Sequence, residues 1–249
     1  MTATGITKLQ KPLLTGSMWA SERLATIGAT AGMVGHDIRN PLQAITGDVY
    51  LAKLEVDSML DSERKASLQE SLDAVEKNVE YINKIVTDLQ DYARPLKPFA
   101  RETNLEDIIE NLFSRNGAPS GIKISFRVEN DAKRIMTDPD LLKRILGNLV
   151  MNAIQAMPAG GKLNVHAYRD ENDYVLAVED TGVGIPEEAK GMLFAPLFTT
   201  KSKGQGFGLA VVKRMTDALD GTVTFESQEG KGTTFIVRLP TRPVTNRRH

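Results

Sequence analysis

The sequence contains no cysteine, carries almost no net charge and has no long hydrophobic run. The absence of cysteine among 249 residues excludes disulfides, cysteine-ligated zinc and a thiol nucleophile. Because 31 basic residues balance 32 acidic ones, the composition shows no footprint for nucleic acid or an anionic membrane. No run approaches the about 18 apolar residues of a membrane-spanning helix, and the first residues lack the apolar core of a signal peptide. We therefore expect a cytoplasmic protein with no membrane segment and no nucleic-acid partner.

Residues 19–94 show the spacing of amphipathic helices. Apolar residues recur at steps of three and four from Leu24 to Met59, and Pro41 within this run predicts a kink. A polar break follows, where Asp61 or Ser62 is a candidate cap for a second helix with a stripe from Leu68 to Leu89. Two such helices form a hairpin, and pairing two hairpins into a four-helix bundle would bury both stripes. A homodimer is therefore expected, and an intramolecular coiled coil that spaces two domains is the alternative.

A mixed pattern of strands and helices follows the prolines at 95 and 98, which end the second helix. The pattern predicts helices over 105–113, 139–157 and 207–219, strands over 122–128, 163–168, 174–178, 222–226 and 233–239, and a mobile lid over 185–206. Strands and helices that mix without regular alternation favour an α+β two-layer sandwich. The predicted boundaries are an N-terminal linker 1–18, a helical hairpin 19–94, a linker 95–103, a second domain 104–240 and a tail 241–249.

The first helix carries the string His36-Asp37-Ile38-Arg39-Asn40-Pro41-Leu42. His36 lies two residues from the stripe positions Val34 and Ile38, about 200° around the helix, so its side chain should face solvent. An exposed uncharged imidazole is a candidate phosphoryl acceptor, and the adjacent Asp37 could accept its proton. Asn40 lies one turn later on the same face. A surface histidine beside a helical aspartate is the alternative.

Three clusters in the second region have the chemistry of a nucleotide site. Asp180-Thr181-Gly182-Val183-Gly184 follows a strand, where glycines let the backbone approach a ligand closely. The run 204–209, Gly-Gln-Gly-Phe-Gly-Leu, opens a helix whose amides suit phosphates, and Lys201 and Lys203 precede it. Asn148 and Asn152 share one face of a helix, where an amide oxygen could bind Mg²⁺. The alternatives are a tight loop, solvated lysines and a structural hydrogen bond.

Taken in order, these strings resemble the sequence boxes of sensor histidine kinases. The string at 36–42 resembles the H-box, 148–153 the N-box, 180–184 the G1-box, 194–201 the F-box and 204–209 the G2-box, and 230–235 is similar to the final glycine–threonine element. The string Asn-Ala-Ile-Gln-Ala-Met at 152–157 looks like the nitrogen- and oxygen-sensor branch. The resemblance implies a Bergerat-type ATP-binding domain behind a dimerisation hairpin. It also implies autophosphorylation, transfer to a response regulator and phosphatase activity.

The resemblance also assigns roles to individual residues. His36 would be the phosphoacceptor, Asp37 the proton acceptor and Asn40 the residue that positions water for the phosphatase reaction. ATP and Mg²⁺ are the implied cofactors, with Asn152 as the magnesium ligand and Asp180 at the adenine. The implied nucleotide-binding residues are Asn148, Asn152, Asp180, Gly182, Gly184, Phe198, Thr200, Lys201, Lys203, Gly204, Gly206, Phe207, Gly208, Leu209 and Thr233.

The chain departs from the family pattern at Gln205, Phe207 and Gln155. The first two should change lid packing, and Gln155 replaces a basic residue, which puts a phosphate contact there in doubt. Related ATPases carry a general-base glutamate where this chain has Asn148, and an amide cannot take a proton. Transfer to histidine is therefore favoured over hydrolysis. The remaining alternative is a dimeric scaffold whose ATP site only regulates its shape.

Overall fold

The computed structural model describes residues 16–114, 121–199 and 206–241, and in the first helix it describes the side chains at 35 and from 37 onward. The chain divides into two compact units, one ending at Pro95 and the other beginning at Leu96. Each is described by itself. In the part of the chain that the structure describes, no helix is both long and apolar enough to cross a membrane.

The first unit is the predicted helical hairpin. Helix α1 spans Gly16–Asp57 and continues through Pro41, and α2 spans Glu63–Ala93. Ser62 caps α2, because its hydroxyl accepts a hydrogen bond from the Lys65 amide at 3.2 Å. The Lys65 ammonium bridges the turn, donating to the carbonyl oxygens of Asp57 at 3.2 Å and Met59 at 3.0 Å. A cation at these carbonyls offsets the negative end of the α1 dipole.

Polar contacts set the register between the two helices. The Arg39 guanidinium donates to Thr87 Oγ1 at 3.1 Å, and the Lys53 ammonium lies 2.7 Å from Asp73 and 2.5 Å from Glu76. Hydrogen bonds to Asp73 first, and then to Glu76, raise the pKa of Lys53. The same hydrogen bond lowers the pKa of Asp73. The Arg39 contact lies just before Pro41 and the Lys53 pairs lie beyond it, so both link α1 to α2.

Only part of each apolar stripe is buried in one hairpin. Leu42, Val49 and Val56 are buried on α1, and Val79, Val86 and Ala93 are buried on α2. Other stripe residues keep about two fifths of their surface exposed: Ile45 40%, Met59 41%, Leu68 40%, Val75 40% and Ile82 38%. A second hairpin would cover this remaining surface, as the heptad spacing predicts.

The second unit is an α+β sandwich, as predicted. Its elements are β1 Arg101–Asn104, α3 Leu105–Ser114, β2 Ile122–Val128, a 3₁₀ turn Asn130–Ala132, β3 Arg134–Thr137, α4 Pro139–Gln155, β4 Gly161–Asp170, β5 Asp173–Asp180, α5 Glu187–Lys190, α6 Gly208–Ala218, β6 Thr222–Gln228 and β7 Gly232–Pro240. The main sheet has the order β2-β4-β5-β7-β6, with only β2 and β4 parallel. Helix α4 packs on β4, β5, α3 and α6, so the helices form one layer.

The core lies between α4 and the sheet. Leu142, Ile145, Leu146 and Leu149 on α4 are completely buried, as are Leu163 on β4 and Val175 and Leu176 on β5. Asp138 caps α4 by accepting from the amides of Asp140 at 3.0 Å and Leu141 at 3.2 Å, with Pro139 at the first position. The rigid attachment of α4 to the sheet fixes its polar edge, which carries Asn148 and Asn152.

Two elements differ from the sequence-based expectation. Strand β1 lies largely within the predicted linker 95–103 and pairs antiparallel with β3, so that Glu102 lies opposite Met136. The predicted lid contains the short helix α5. Strand β1 was missed because Arg101-Glu102-Thr103-Asn104 has no apolar alternation. Its pairing comes from β3, which lies about thirty residues further along the chain.

Candidate functional site

The string at 36–42, which contains the candidate acceptor His36 and is called the acceptor string below, lies in the middle of α1. His36 is helical, but its side chain lies outside the described residues, and so does the prediction that it faces solvent. Asp37 and Asn40 are exposed, and Ile38 is half-buried. On the opposite side of the string, Gly35 is buried against Gln90, whose Cγ would lie 3.0 Å from a Cβ at position 35. At this level α1 contacts α2 through Gly35, while Asp37 and Asn40 are accessible.

The two asparagines of α4 lie beside the start of α6. Asn148 is only 7% exposed, and Asn152 is half-buried one turn later. A Cβ added to Gly208, the first residue of α6, would lie 3.7 Å from Asn148 Oδ1 and 3.9 Å from Asn152 Nδ2. The structure thus brings together three predicted site residues from two helices that are about fifty residues apart in sequence.

Asp180 ends β5 as a buried carboxylate, 4% exposed. Its Oδ1 accepts a hydrogen bond from the Gly182 amide at 2.8 Å, and Thr233 lies directly opposite on β7. A Cβ at Gly182 would collide with the carbonyl of Ala156, the residue whose oxygen accepts from the Val183 amide at 3.0 Å. This loop is therefore held tightly against the end of α4.

A serine that the sequence motifs did not single out organises the same end of the sheet. Ser227 Oγ accepts from the Ile185 amide at 2.9 Å, donates to the Gly232 carbonyl at 3.1 Å and lies 2.9 Å from Thr233 Oγ1. Gly184 has a φ of +71° and would collide with Gln228 if it carried a Cβ. Nothing in the local sequence marks Ser227, because its partners come from two other segments, the loop after β5 and the start of β7.

The predicted lid is only partly described. Thr200, Lys201, Lys203 and Gly204 lie outside the described residues. Phe198 is half-buried, Phe207 is buried immediately before α6, and Leu209 is half-buried within it. Gly206 has a φ of +70°, and its carbonyl accepts from the Leu197 amide at 3.0 Å.

The residues present fit a magnesium–nucleotide complex. Among the described residues, Asn148 Nδ2 is buried without a hydrogen-bond partner, and as a donor it could bond a phosphate oxygen. Amide oxygens are ligands that Mg²⁺ accepts, and Mg²⁺ usually takes its remaining ligands from phosphates and water. Within the described residues there is no cluster of three histidine, aspartate or glutamate side chains that could hold a metal ion by themselves.

A cavity of about 330 Å³ opens beside Asp180 at the ends of β5, β6 and β7. Ser227, Lys231 and Thr233 are among the residues that line it. The cavity does not reach the two asparagines of α4. Of the predicted site residues it touches Asp180 and Thr233.

Two family models match the chain. Residues 27–97 match the His Kinase A (phospho-acceptor) domain. Residues 137–243 match the histidine kinase-, DNA gyrase B- and HSP90-like ATPase. The two matches correspond to the hairpin and to most of the second unit.

Curated relatives match across both units. The chain is 32% identical to the signal transduction histidine-protein kinase AtoS of Escherichia coli, over 92% of the chain and 37% of the relative. It is 35% identical to the sensor histidine kinase ZraS of Salmonella typhimurium, over 91% of the chain and 48% of the relative. The chain thus spans less than half the length of these two relatives. Neither is named as a nitrogen or oxygen sensor, so that branch stays a prediction.

Solved structures agree with this pattern. The catalytic domain of histidine kinase ThkA is 32% identical, with a TM-score of 0.53 over 58% of the chain and 99% of that domain. ThkA in complex with response regulator protein TrrA is 25% identical, with a TM-score of 0.64 over 95% of the chain and 70% of that chain. Full-length ShkA in complex with AMPPNP is 22% identical with a TM-score of 0.68 over 88% of the chain and 47% of ShkA, a likeness of fold.

Proposed function

This chain belongs to the sensor histidine kinases, and from that premise we propose that it phosphorylates its own His36 with ATP. The phosphoryl group then passes to an aspartate of a response regulator. The observation that carries the proposal is the buried Asn148 amide nitrogen, which has no partner among the described residues and lies beside Asn152 and Gly208. It supports a nucleotide site in a chain whose other unit carries the acceptor string.

The chemistry of the first step is an in-line phosphoryl transfer. A ring nitrogen of His36 attacks the γ-phosphorus, and the bond from that phosphorus to the β,γ-bridging oxygen breaks, so that ADP leaves. Asp37, the neighbouring exposed carboxylate, accepts the ring proton. Catalysis on this chain is then mainly positioning and neutralisation of charge.

The second unit supplies the nucleotide site. Asp180 would accept a hydrogen bond from the adenine amino group, close to Thr233 and Gly182. Asn152 would bind Mg²⁺, which neutralises charge on the phosphates when it is bound with ATP. Gly206, Gly208 and Leu209 would contact the phosphates through the start of α6. Phe198 and Phe207 would contact the nucleotide, and Thr200, Lys201, Lys203 and Gly204 stay predicted binding residues outside the described part of the chain.

Hydrolysis of ATP is the competing function, since one matching family model also includes ATPases. A general base one turn before Asn152 would be required, and that position holds Asn148, which cannot take a proton. A regulated scaffold is the other competitor. Against it stand two separate motif sets, one for the acceptor and one for the nucleotide.

His166 is a poorer acceptor than His36. It lies in β4, where its Nε2 is 3.2 Å from the Glu129 carboxylate and its ring packs on Tyr168 at 4.9 Å. One ring nitrogen is thus engaged by Glu129, and the ring is packed on Tyr168. His249 lies outside the described residues.

The proposed partners are a second copy of the chain and the receiver domain of a response regulator. Apolar stripe residues that remain exposed on the hairpin support the dimer. The ThkA complex with TrrA supports the regulator. Asn40, exposed one turn beyond His36, would position water in a phosphatase reaction toward the regulator.

The test is incubation with Mg²⁺ and γ-labelled ATP, followed by acid treatment and mapping of the label by mass spectrometry. Acid-labile label on His36, absent in His36→Gln while nucleotide still binds, is the expected result. Nucleotide binding without label would favour the scaffold. Free phosphate released by His36→Gln at the parent rate would establish an ATPase instead.

A further inference from the structure

Leu197 adopts a backbone conformation that leucine normally avoids. Its φ is +66°, in the left-handed region, where the Cβ of an L-residue crowds the following carbonyl oxygen. The side chain is 71% exposed, so burial does not offset this cost. Strained backbone of this kind persists where surrounding contacts maintain it, and it is common at functional sites. Because the side chain is exposed, any role of Leu197 is expected to come from its backbone.

The strained backbone makes one specific contact. The Leu197 amide donates to the Gly206 carbonyl at 3.0 Å. Gly206 is also left-handed, with a φ of +70°, and a Cβ there would lie 2.6 Å from the Phe198 amide nitrogen and closer still to the Leu197 carbonyl carbon. We call this pair of left-handed residues, with its hydrogen bond, the 197–206 bracket.

On its N-terminal side, the bracket is attached to an arm of successive hydrogen-bonded turns. Between Pro186 and Phe198, each third amide donates to the carbonyl three residues earlier, at 3.1, 3.2, 2.9 and 3.3 Å. Within this arm the Phe194 ring lies 6.0 Å from that of Phe225 on β6. The arm is thereby anchored to the sheet.

On its C-terminal side, the bracket leads directly into α6. Gly206 precedes Gly208 by two residues, and Gly208 lies beside Asn148 and Asn152. The Phe207 carbonyl between them already accepts from the Val211 amide at 2.8 Å. A restraint on Gly206 is therefore a restraint on the start of α6.

We infer that the 197–206 bracket positions the start of α6 for nucleotide binding, with Leu197 as a positioning residue that acts through its backbone. The inference rests on the proposed nucleotide site and adds a residue to it. Breaking the bracket leaves the start of α6 to be ordered at the moment of binding, which weakens affinity. Affinity should then follow how well residue 197 tolerates a left-handed backbone, not the size of its side chain.

The experiment measures binding of AMPPNP with Mg²⁺ to the whole chain by titration calorimetry. Leu197→Gly and Leu197→Asn tolerate positive φ and should bind at least as tightly as the parent. Leu197→Val, which is β-branched, and Leu197→Pro, which lacks the amide donor, should bind more weakly, by about tenfold for proline. Gly206→Ala should show a similar loss of about tenfold, because its Cβ meets backbone atoms.

Gly191→Ala is the matched control, because a Cβ there meets nothing within 4 Å and Gly191 has a φ of −68°. It should bind as the parent does. Circular dichroism identifies any variant that fails to fold. If Gly206→Ala fails to fold, the variants at the exposed position 197 still test the inference. Equal affinity for glycine, valine and proline at 197 overturns the inference and leaves the proposed function standing. A parent chain that binds no nucleotide overturns the proposed function itself.

Discussion

Replacing Gly208 by alanine should make the protein more stable and its nucleotide binding weaker. Gly208 is the first residue of α6, and its φ does not lie in the left-handed region that would strain alanine. The nearest atoms to an added Cβ are Asn148 Oδ1 at 3.7 Å and Asn152 Nδ2 at 3.9 Å, both ordinary van der Waals distances. The protein therefore accommodates the methyl group without moving.

The substitution should raise the free energy of unfolding and lower the affinity for nucleotide. Alanine loses less backbone entropy than glycine when it becomes helical, which should stabilise the second unit by about 0.5 kcal/mol. The methyl group would occupy the space between the two amides where the phosphates and Mg²⁺ are proposed to lie. Loss of one well-placed phosphate contact corresponds to about 1.5–3 kcal/mol, or roughly tenfold to a hundredfold in affinity.

Urea unfolding measures the first quantity, and calorimetric titration with AMPPNP and Mg²⁺ measures the second. Gly182→Ala provides the contrast, because its Cβ would collide with the Ala156 carbonyl and should destabilise the fold. If Gly208→Ala binds nucleotide within twofold of the parent, the space beside the asparagines is not the phosphate site. If it is strongly destabilised, Gly208 is a packing residue.

Three further predictions concern stability. Thr216 is completely buried and its hydroxyl has no partner within the described ranges, so Thr216→Val should stabilise by about 1 kcal/mol and raise the melting temperature by about 2–4 °C, while Thr216→Ser should not. Lys65→Met should destabilise the hairpin turn by about 1 kcal/mol and speed amide hydrogen exchange there, and unchanged exchange would contradict the bridging role. Lys53→Met should lower the melting temperature. Because the pKa of Asp73 is lowered from 3.8 and that of Lys53 is raised from 10.5, the difference from the parent should shrink below about pH 4 and above about pH 10.5. A pH-independent difference would exclude the ion pair as its cause.

Several structural elements could be predicted from local sequence because a local interaction specifies them. The Asp138–Pro139 pair begins α4 as predicted, since an N-cap and a proline at the first position need no distant partner. The break near Ser62 and the heptad stripes similarly predicted the hairpin. Strand β1 could not be predicted, because its backbone hydrogen bonds depend on β3.

In the candidate site, too, some residues could be predicted from local sequence and others could not. The order and spacing of the motifs identify Asn148, Asn152, Asp180 and Gly208 as candidates without any knowledge of the distances between them. Ser227 and Leu197 escaped notice, because a single serine and a single leucine are unremarkable in sequence. Their importance comes from hydrogen bonds to segments elsewhere in the chain.

The sequence by itself determined the family, the two-unit organisation and the residue types that carry the chemistry, because each depends on local pattern and composition. Only the tertiary structure decided that Gly208 lies between two amides, that Gly182 is held against Ala156, and that Leu197 is strained to reach Gly206. The first two relations join residues that are distant along the chain, and they depend on how α4 and α6 pack in the second unit, which no single segment specifies. The third joins two residues of the same loop, and neither leucine nor its neighbours mark the left-handed backbone in the sequence.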